Sequence, residues 1–385
     1  MKTIPTAKRL NAFPEYVFSR LAKTVAEVEN ESKRNVLSFG PGTPDVKPSN
    51  HYIEKLNEFF RADDAHLYPG YGASKEFSRA LIQWYKKRFY VDLTEEELFP
   101  LLGAKDGISH LPLAILDERD EVLVPDPGYP AFTGPTLMIG AVPVYYDLTE
   151  KNEFKVDLAG IKEKLSKKTK FIWINFPSNP TGQIVTIDEL EKIVSFAKQH
   201  RLFIVYDNAY SEITFDNFVA PSILQIDGAK DIAVEIGSFS KTFSFAGFRM
   251  GWIVGNKDVI SALAKVKSQM DSGLSIPLQK LGAFALTNTD QQWHQGMIAS
   301  YQERRNIIAK HLQSLGLEFS LPNGSLYIWA KIPNTAKNSE EFCMQLLKDK
   351  QILLTPGTAF GKNGERYVRV SICVNIDKIN DYFKL

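Results

Sequence analysis

The sequence predicts an α/β protein: a large domain on a mostly parallel, doubly wound sheet, with a smaller α+β domain attached. Three observations carry this. Short β-rich apolar runs alternate with helical patterns through the middle of the chain, and each run is closed by turn residues. A well-capped helical segment lies between two such runs, and strand, helix, strand in succession is the pattern of a parallel sheet covered on both faces. At 385 residues the chain exceeds the size at which one core keeps growing, which favours a large domain plus a small one.

Taken in order, Glu121-Val-Leu-Val124 closes at Pro125-Asp-Pro-Gly128. Phe171-Ile-Trp-Ile-Asn175 closes at Phe176-Pro-Ser-Asn-Pro-Thr-Gly182, and Phe203-Ile-Val-Tyr-Asp207 at Asn208-Ala-Tyr210. Between the last two, Thr186 can cap a helix, Glu189 completes a capping box, and Leu190, Ile193, Val194 and Ala197 make an apolar stripe. Another apolar run, Ile232 to Ile236, precedes Ser238-Phe-Ser-Lys-Thr-Phe243. The C-terminal part reads differently. Tyr301 to Leu315 is patterned as an amphipathic helix, Leu317 to Ile332 as two strands around Pro322-Asn-Gly324, and Tyr367 to Cys373 alternates with period two, as in an antiparallel strand with one wet face. The expected division is a large domain over 46–284 and a small domain made of 1–45, the N-terminal arm included, with 285–385.

Bulk properties exclude several function classes. Net charge is +1, which leaves no electrostatic footprint for nucleic acid. No apolar run reaches the roughly 18–20 residues needed to span a membrane, and the N-terminus has no apolar stretch of a secretory signal. Cys343 and Cys373 cannot make a disulfide framework, so a cytoplasmic location is expected. The six histidines are scattered without ligand spacing, and no metal site is expected.

Polar residues placed just after the strands point to chemistry, because ligands of doubly wound sheets bind off the carboxyl ends of the strands. Lys241, set among Ser238 and Ser240 and followed eight residues later by Arg249, suits a lysine that forms a Schiff base with an aldehyde cofactor whose phosphate the hydroxyls and arginine hold. Pyridoxal 5'-phosphate (PLP) is such a cofactor. Asp207 could pair with a protonated pyridine nitrogen, and Tyr210 could hydrogen-bond the ring oxygen; Asp207 could equally cap the next helix. Asn179, in Asn-Pro-Thr-Gly182, could donate to the same oxygen or simply make a turn. Gly103-Ala104-Lys105-Asp106, ahead of a helical run from Gly107 to Leu116, could present backbone N–H groups to a phosphate. Tyr129 could stack on a planar ring or be a rim aromatic. Arg369 could clamp a carboxylate or lie on a solvated strand face.

Together, Asn-Pro-Thr-Gly182, Asp207-x-x-Tyr210, Ser238-x-Ser-Lys241 and Arg249, with Arg369, resemble in order and spacing the site of the fold-type I PLP enzymes, and among them the class I/II aminotransferases. The resemblance runs from about Phe13 to Phe383. Pro14-Glu-Tyr-Val-Phe18, Gly103-Ala-Lys-Asp-Gly107 and Lys265-Val-Lys-Ser-Gln-Met-Asp-Ser-Gly273 look like the branch of LL-diaminopimelate, alanine and aspartate aminotransferases. By that resemblance Gly42 would meet a substrate carboxylate, and Tyr68 would reach the cofactor phosphate of a partner subunit, which implies a homodimer. Three departures stand out: Ala73 where a glycine is usual, Asn208 where Glu is common, and no arginine from Met270 to Lys280, where aspartate-specific members place one.

The expected activity is PLP-dependent transfer of an amino group from an L-amino acid to a 2-oxo acid, with ping-pong kinetics. Lys241 would be the base and then the acid. The same residues would serve carbon–sulfur lyase chemistry by β-elimination. The substrate side chain is open: Tyr16, Phe18, Tyr71, Phe132 and Phe360 could line an aromatic-tolerant pocket or belong to the core.

Overall fold

The structure, a computed structural model, describes residues 4, 6–13 and 17–383, with backbone alone for 17–22 and 383. A seven-stranded sheet forms the centre. Its strands are β1 (Leu98–Leu101), β2 (Glu121–Asp126), β3 (Val142–Asp147), β4 (Thr169–Asn175), β5 (Phe203–Asp207), β6 (Ala233–Ser238) and β7 (Gly251–Gly255). Their order is β1-β7-β6-β5-β4-β2-β3, and only β7 runs against its neighbours. The sheet is therefore mostly parallel.

Alternation along each strand feeds two apolar layers. Ile204 and Tyr206 of β5, Ile172 and Ile174 of β4 and Trp252 of β7 face one layer, covered by helices Asn50–Phe60, Lys75–Phe89, Ile187–His200 and Ile276–Thr287. Val205, Phe171, Trp173, Val234 and Ile253 face the other, covered by Ala104–Ile115 and Lys257–Lys267. Such double coverage is why these strands are near-continuous apolar runs. The helix Ile187–His200 has the predicted capping box, with Glu189 N donating to Thr186 Oγ1 at 3.3 Å and Thr186 N to Glu189 at 2.8 Å.

One charged residue interrupts β6. Glu235 is buried, and its carboxyl accepts from Tyr85 Oη at 2.8 Å, Ser222 Oγ at 2.6 Å and the Ile223 amide at 3.0 Å. Burial raises its pKa. Trp252 Nε1 donates to Tyr85 Oη at 3.1 Å, so the polar group is enclosed by a satisfied network rather than left unpaired.

The C-terminal part forms a second sheet of β8 (Tyr327–Lys331), β9 (Thr355–Pro356) and β10 (Tyr367–Ser371), in the antiparallel order β9-β10-β8. Its core joins Leu37 and Phe39 to residues from Met297 to Ile379, and also to Ala209, Tyr210, Ile213 and Phe215 just after β5. Leu37–Ser38 pairs with Ile352–Leu353, and Ser371 N donates to Phe39 O at 2.8 Å. The loop after Phe39 is thereby tied to the small sheet.

Several sequence expectations change. The helix expected over Tyr301 to Leu315 begins a full ten residues earlier, at Gln291, where Asp290 caps it. Of the two strands expected around Pro322-Asn-Gly324, only β8 forms. The first flank meets β8 only at an isolated bridge, Glu318 to Lys331, while Gly324 bridges to Thr214. The helix expected from Gly107 starts at Ala104, since Gly103 takes φ +89° as its N-cap. The wet face expected for Tyr367 to Cys373 is absent: Val368 to Ser371 are buried on both sides, the large sheet's loops covering the second one. Phe132 is core, stacked 4.7 Å from Trp173. Tyr16 and the Phe18 side chain lie outside the described residues.

Close packing of β6 on β7 yields a test. A methyl at Gly237 would lie 2.1 Å from Trp252 Cε2. Gly237→Ala is expected to cost about 1–3 kcal/mol of stability, read as a lower denaturant midpoint with unchanged slope. An unchanged midpoint would mean that β7 yields at no cost.

Candidate active site

The carboxyl ends of β1, β4, β5 and β6 converge, and each delivers a polar group. Asp207 ends β5 and is 4% exposed. Its carboxylate accepts the Ala209 amide at 3.2 Å, an interaction that follows from the turn just past the strand. Among the described residues no cationic side chain forms a salt bridge with it, Lys241 acting on it only through space. Burial pushes its pKa up to about 7, which a cation placed against the carboxylate would reverse.

Asn175 ends β4 directly opposite Asp207 in register. Its Nδ2 donates to Asp207 O at 2.9 Å and its Oδ1 accepts the Asn179 amide at 2.9 Å. Asn179 Oδ1 then accepts Arg369 Nη1 at 2.9 Å. A chain of amides thus links the backbone at Asp207, at the end of one sheet, to the arginine of the other. Asn175 was missed in the sequence; the signal was a polar residue closing an apolar run one strand away from Asp207.

Lys241 follows β6 in a short helix capped by Ser238, whose Oγ accepts the Ser240 amide at 3.2 Å. The lysine is half-buried, its Nζ pointing inward to donate to Gly42 O at 3.1 Å. That nitrogen lies 5.6 Å from the Tyr210 ring. Burial, joined by the positive charges of Arg369 and Arg249 and opposed by Cys373 and Asp207, lowers its pKa to about 8. A minor but chemically useful share of neutral amine is therefore present near neutral pH, which is what a nucleophile or base requires.

Arg369 is 3% exposed in β10. Its guanidinium carbon sits 4.2 Å from the Tyr327 ring centre and 4.6 Å from that of Phe360, and Nη2 donates to Gly40 O at 2.7 Å. Tyr327, also missed in the sequence, shares a hydrogen bond of 3.1 Å with Tyr210 Oη. It packs so closely under Gly42 that a Cβ there would lie 1.8 Å from its hydroxyl. No sequence pattern singled Tyr327 out; it is one aromatic in an apolar strand.

At the end of β1, Gly103 caps the helix that begins with Ala104 and Lys105, leaving the N-terminal amides and the positive end of the dipole facing outward. Arg249 holds φ +56° after the turn Ala246–Phe248 and leans on this cap, 2.7 Å from where a Gly103 Cβ would be. Ser238 and Ser240 are buried nearby in the chain, while Lys105 and Arg249 are exposed. Tyr129 is half-buried, edge-on to Phe132 at 5.7 Å. Tyr68 stands apart from the group: it is 84% exposed and no contact joins it to the residues above.

The arrangement combines a near-neutral lysine amine, a buried carboxylate lacking a cation, a helix N-terminus suited to an anion, and a fixed arginine. A family model described as aminotransferase class I and II matches residues 34–382. The chain is 37% identical over 376 residues to an LL-diaminopimelate aminotransferase of Halothermothrix orenii, covering 97% of this chain and 96% of that one. It is 38% identical over 372 residues to one from Aquifex aeolicus, covering 96% and 95%. Among solved structures, apo-BacF of Bacillus subtilis matches with a TM-score of 0.92 at 30% identity, over 99% of this chain and 97% of that one. With a family match across nearly the whole sequence and relatives aligned end to end, the chain belongs to the class I and II aminotransferases, enzymes that use pyridoxal 5'-phosphate to move an amino group from an amino acid to a 2-oxo acid.

Proposed function

We propose that Lys241 is the amine through which this aminotransferase works, and that the residues gathered around it hold PLP and the substrate carboxylate. The observation that carries this reading is the placement of Lys241 Nζ: desolvated, with a pKa of about 8, between the Asp207 and Arg369 sides of the site. The residues fit the cofactor. Asp207 would supply the buried anion that a protonated ring nitrogen needs, and Tyr210 and Asn179 would offer a hydroxyl and an amide to a ring oxygen. Ala104, Lys105, Ser238, Ser240 and Arg249 offer amides, hydroxyls and charge to a phosphate, and Tyr129 offers a ring face. When bound, PLP supplies an aldehyde carbon for the amine and a ring that withdraws the electrons left on Cα after proton loss.

The chain's own residues do the rest. Arg369, prefixed by Asn179, Gly40 and two aromatic rings, binds the substrate carboxylate with Gly42 and Asn179 at its side, so orientation is set before the substrate arrives. Lys241 Nζ takes the proton from the substrate Cα and later returns a proton, first base and then acid. Asp207 would be held ionised by a protonated ring nitrogen placed against it, and Tyr210 would offer its hydroxyl to the ring oxygen. The first 2-oxo acid leaves before the second substrate enters, giving ping-pong kinetics.

We further read the molecule as a homodimer with Tyr68 contributed across the interface. The exposed side chains of Leu67, Tyr68, Tyr71 and Met270 support this, since an apolar surface of this kind marks an association site. Gly273 binds the two loops together, its backbone lying close against Gly70 O. The division into 46–284 and 1–45 with 285–385 is supported by the separate apolar cluster of the small sheet. Two free cysteines favour the cytoplasm. For the amino donor we favour LL-diaminopimelate, on the strength of the relatives' names.

Single amino acids added without an acceptor test this reading. LL-diaminopimelate is expected to discharge the cofactor's visible band faster than alanine, aspartate or phenylalanine, and a 2-oxo acid to restore it. A faster response to another amino acid would replace the proposed donor. Lys241→Ala is expected to lose all multiple turnover, and retained turnover would remove Lys241 from its role.

Asp207 also gives a pH prediction. The fold holds a proton on this group from its ordinary pKa of 3.8 up to about 7, where the unfolded chain has already released it. Its contribution to stability therefore falls as pH rises through that window. In the cofactor-free protein, Asp207→Asn should flatten the decline of the thermal midpoint between about pH 5 and about pH 7; equal slopes would mean that Asp207 ionises normally.

A further inference from the structure

Asp126 takes no part in the mechanism above, yet its carboxylate is 6% exposed at the end of β2. It reaches across to the turn between β9 and β10. Its Oδ2 accepts the Lys362 amide at 3.2 Å and its Oδ1 the Asn363 amide at 3.1 Å. Asn363 Nδ2 answers by donating to Asp126 O at 3.0 Å and Asp147 Oδ1 at 2.9 Å, and Gly128 N donates to Phe360 O at 2.8 Å. A carboxylate seated on two successive amides is a strong anion contact. Here it fastens the large sheet to the small one.

The approach is exclusive. Gly361 holds φ +139°, and a Cβ on it would lie 2.0 Å from Asp126 Oδ1. The residue before it is Phe360, 4% exposed, whose ring lies 4.6 Å from the Arg369 guanidinium carbon and 5.9 Å from the Trp329 ring. The arginine thus packs on one ring supplied by β8, Tyr327, and on another supplied by the turn that Asp126 holds.

We propose that Asp126 is a positioning residue for substrate recognition: seated on the Lys362 and Asn363 amides, it sets Phe360 over Arg369 and so fixes the plane in which the guanidinium meets a carboxylate. The proposal rests on the reading of Arg369 as the carboxylate clamp. A latch of this kind acts on both substrates of the ping-pong cycle, because amino acid and 2-oxo acid share the carboxylate and differ at the group that reacts.

Steady-state kinetics of the PLP-loaded enzyme test it, with Arg369→Lys as the reference for the clamp. Asp126→Ala is expected to raise KM for amino acid and 2-oxo acid alike by about 5- to 20-fold, with kcat within about twofold and unchanged affinity for PLP. Asp126→Asn, which keeps one acceptor oxygen but turns an NH2 toward the second amide, is expected to recover part of that loss. Gly361→Ala blocks the same contact from the other side and should reproduce the KM rise. Phe360→Leu should do so with the latch intact, which keeps the proposal testable where Asp126→Ala does not fold. If Arg369→Lys raises KM but Gly361→Ala and the Asp126 variants do not, the latch is overturned and the clamp stands. If Arg369→Lys itself leaves KM unchanged, the clamp and the latch fall together. A drop in kcat at constant KM would also overturn the proposal.

Discussion

Turning the Lys241 amine and the Asp207 carboxylate inward at the carboxyl end of the central parallel strands is the constraint around which the rest is arranged. In water a lysine amine is almost wholly protonated and a carboxylate almost wholly ionised at neutral pH. Burial moves both toward neutrality, the lysine to about 8 and the aspartate to about 7. Neither state comes without cost, since each burial opposes the group's preferred charge. The sheet can bear it because both faces of its strands are packed with Ile, Val, Phe and Trp, so that the strand ends are held by a large apolar core.

Around this pair, position is fixed by hydrogen bonds through two asparagines. Asn175 ties the Asp207 backbone to Asn179, and Asn179 accepts from Arg369. Hydrogen bonds of this kind are directional. Arg369 carries the arrangement across to the small sheet, where the Tyr327 and Phe360 rings pack against a guanidinium that would otherwise be costly to bury. The small sheet therefore contributes to the candidate site along with the large one, and the contacts at Asp126 and Gly128 are among those that join the two.

The N-terminal segment joins the site by the same logic. Leu37–Ser38 adds to the edge at Ile352–Leu353, and the loop beyond it brings Gly40 O to Arg369 and Gly42 O to Lys241. Glycine is required at Gly42 because the Tyr327 hydroxyl occupies the space of a side chain. One segment distant in sequence thus supplies backbone oxygens to both Arg369 and Lys241.

Legible in the sequence were the alternating strands and helices, the capping box at Thr186 and Glu189, the placing of Asp207, Asn179 and Lys241 just after strands, and Arg249 eight residues past the lysine. These follow from local rules, namely periodicity, capping and turn chemistry, which act within a few residues. Arg369 was legible as a candidate, but its strand was taken to have a wet face. Only tertiary structure showed that the large sheet's loops cover that face and make it part of the site. Asn175, Tyr327 and Asp126 were legible only as ordinary residues, because their partners lie 32, 117 and 236 or more positions away. Which polar group meets which across such distances is decided by how two sheets pack, and packing depends on the sum of many weak contacts that no local pattern records.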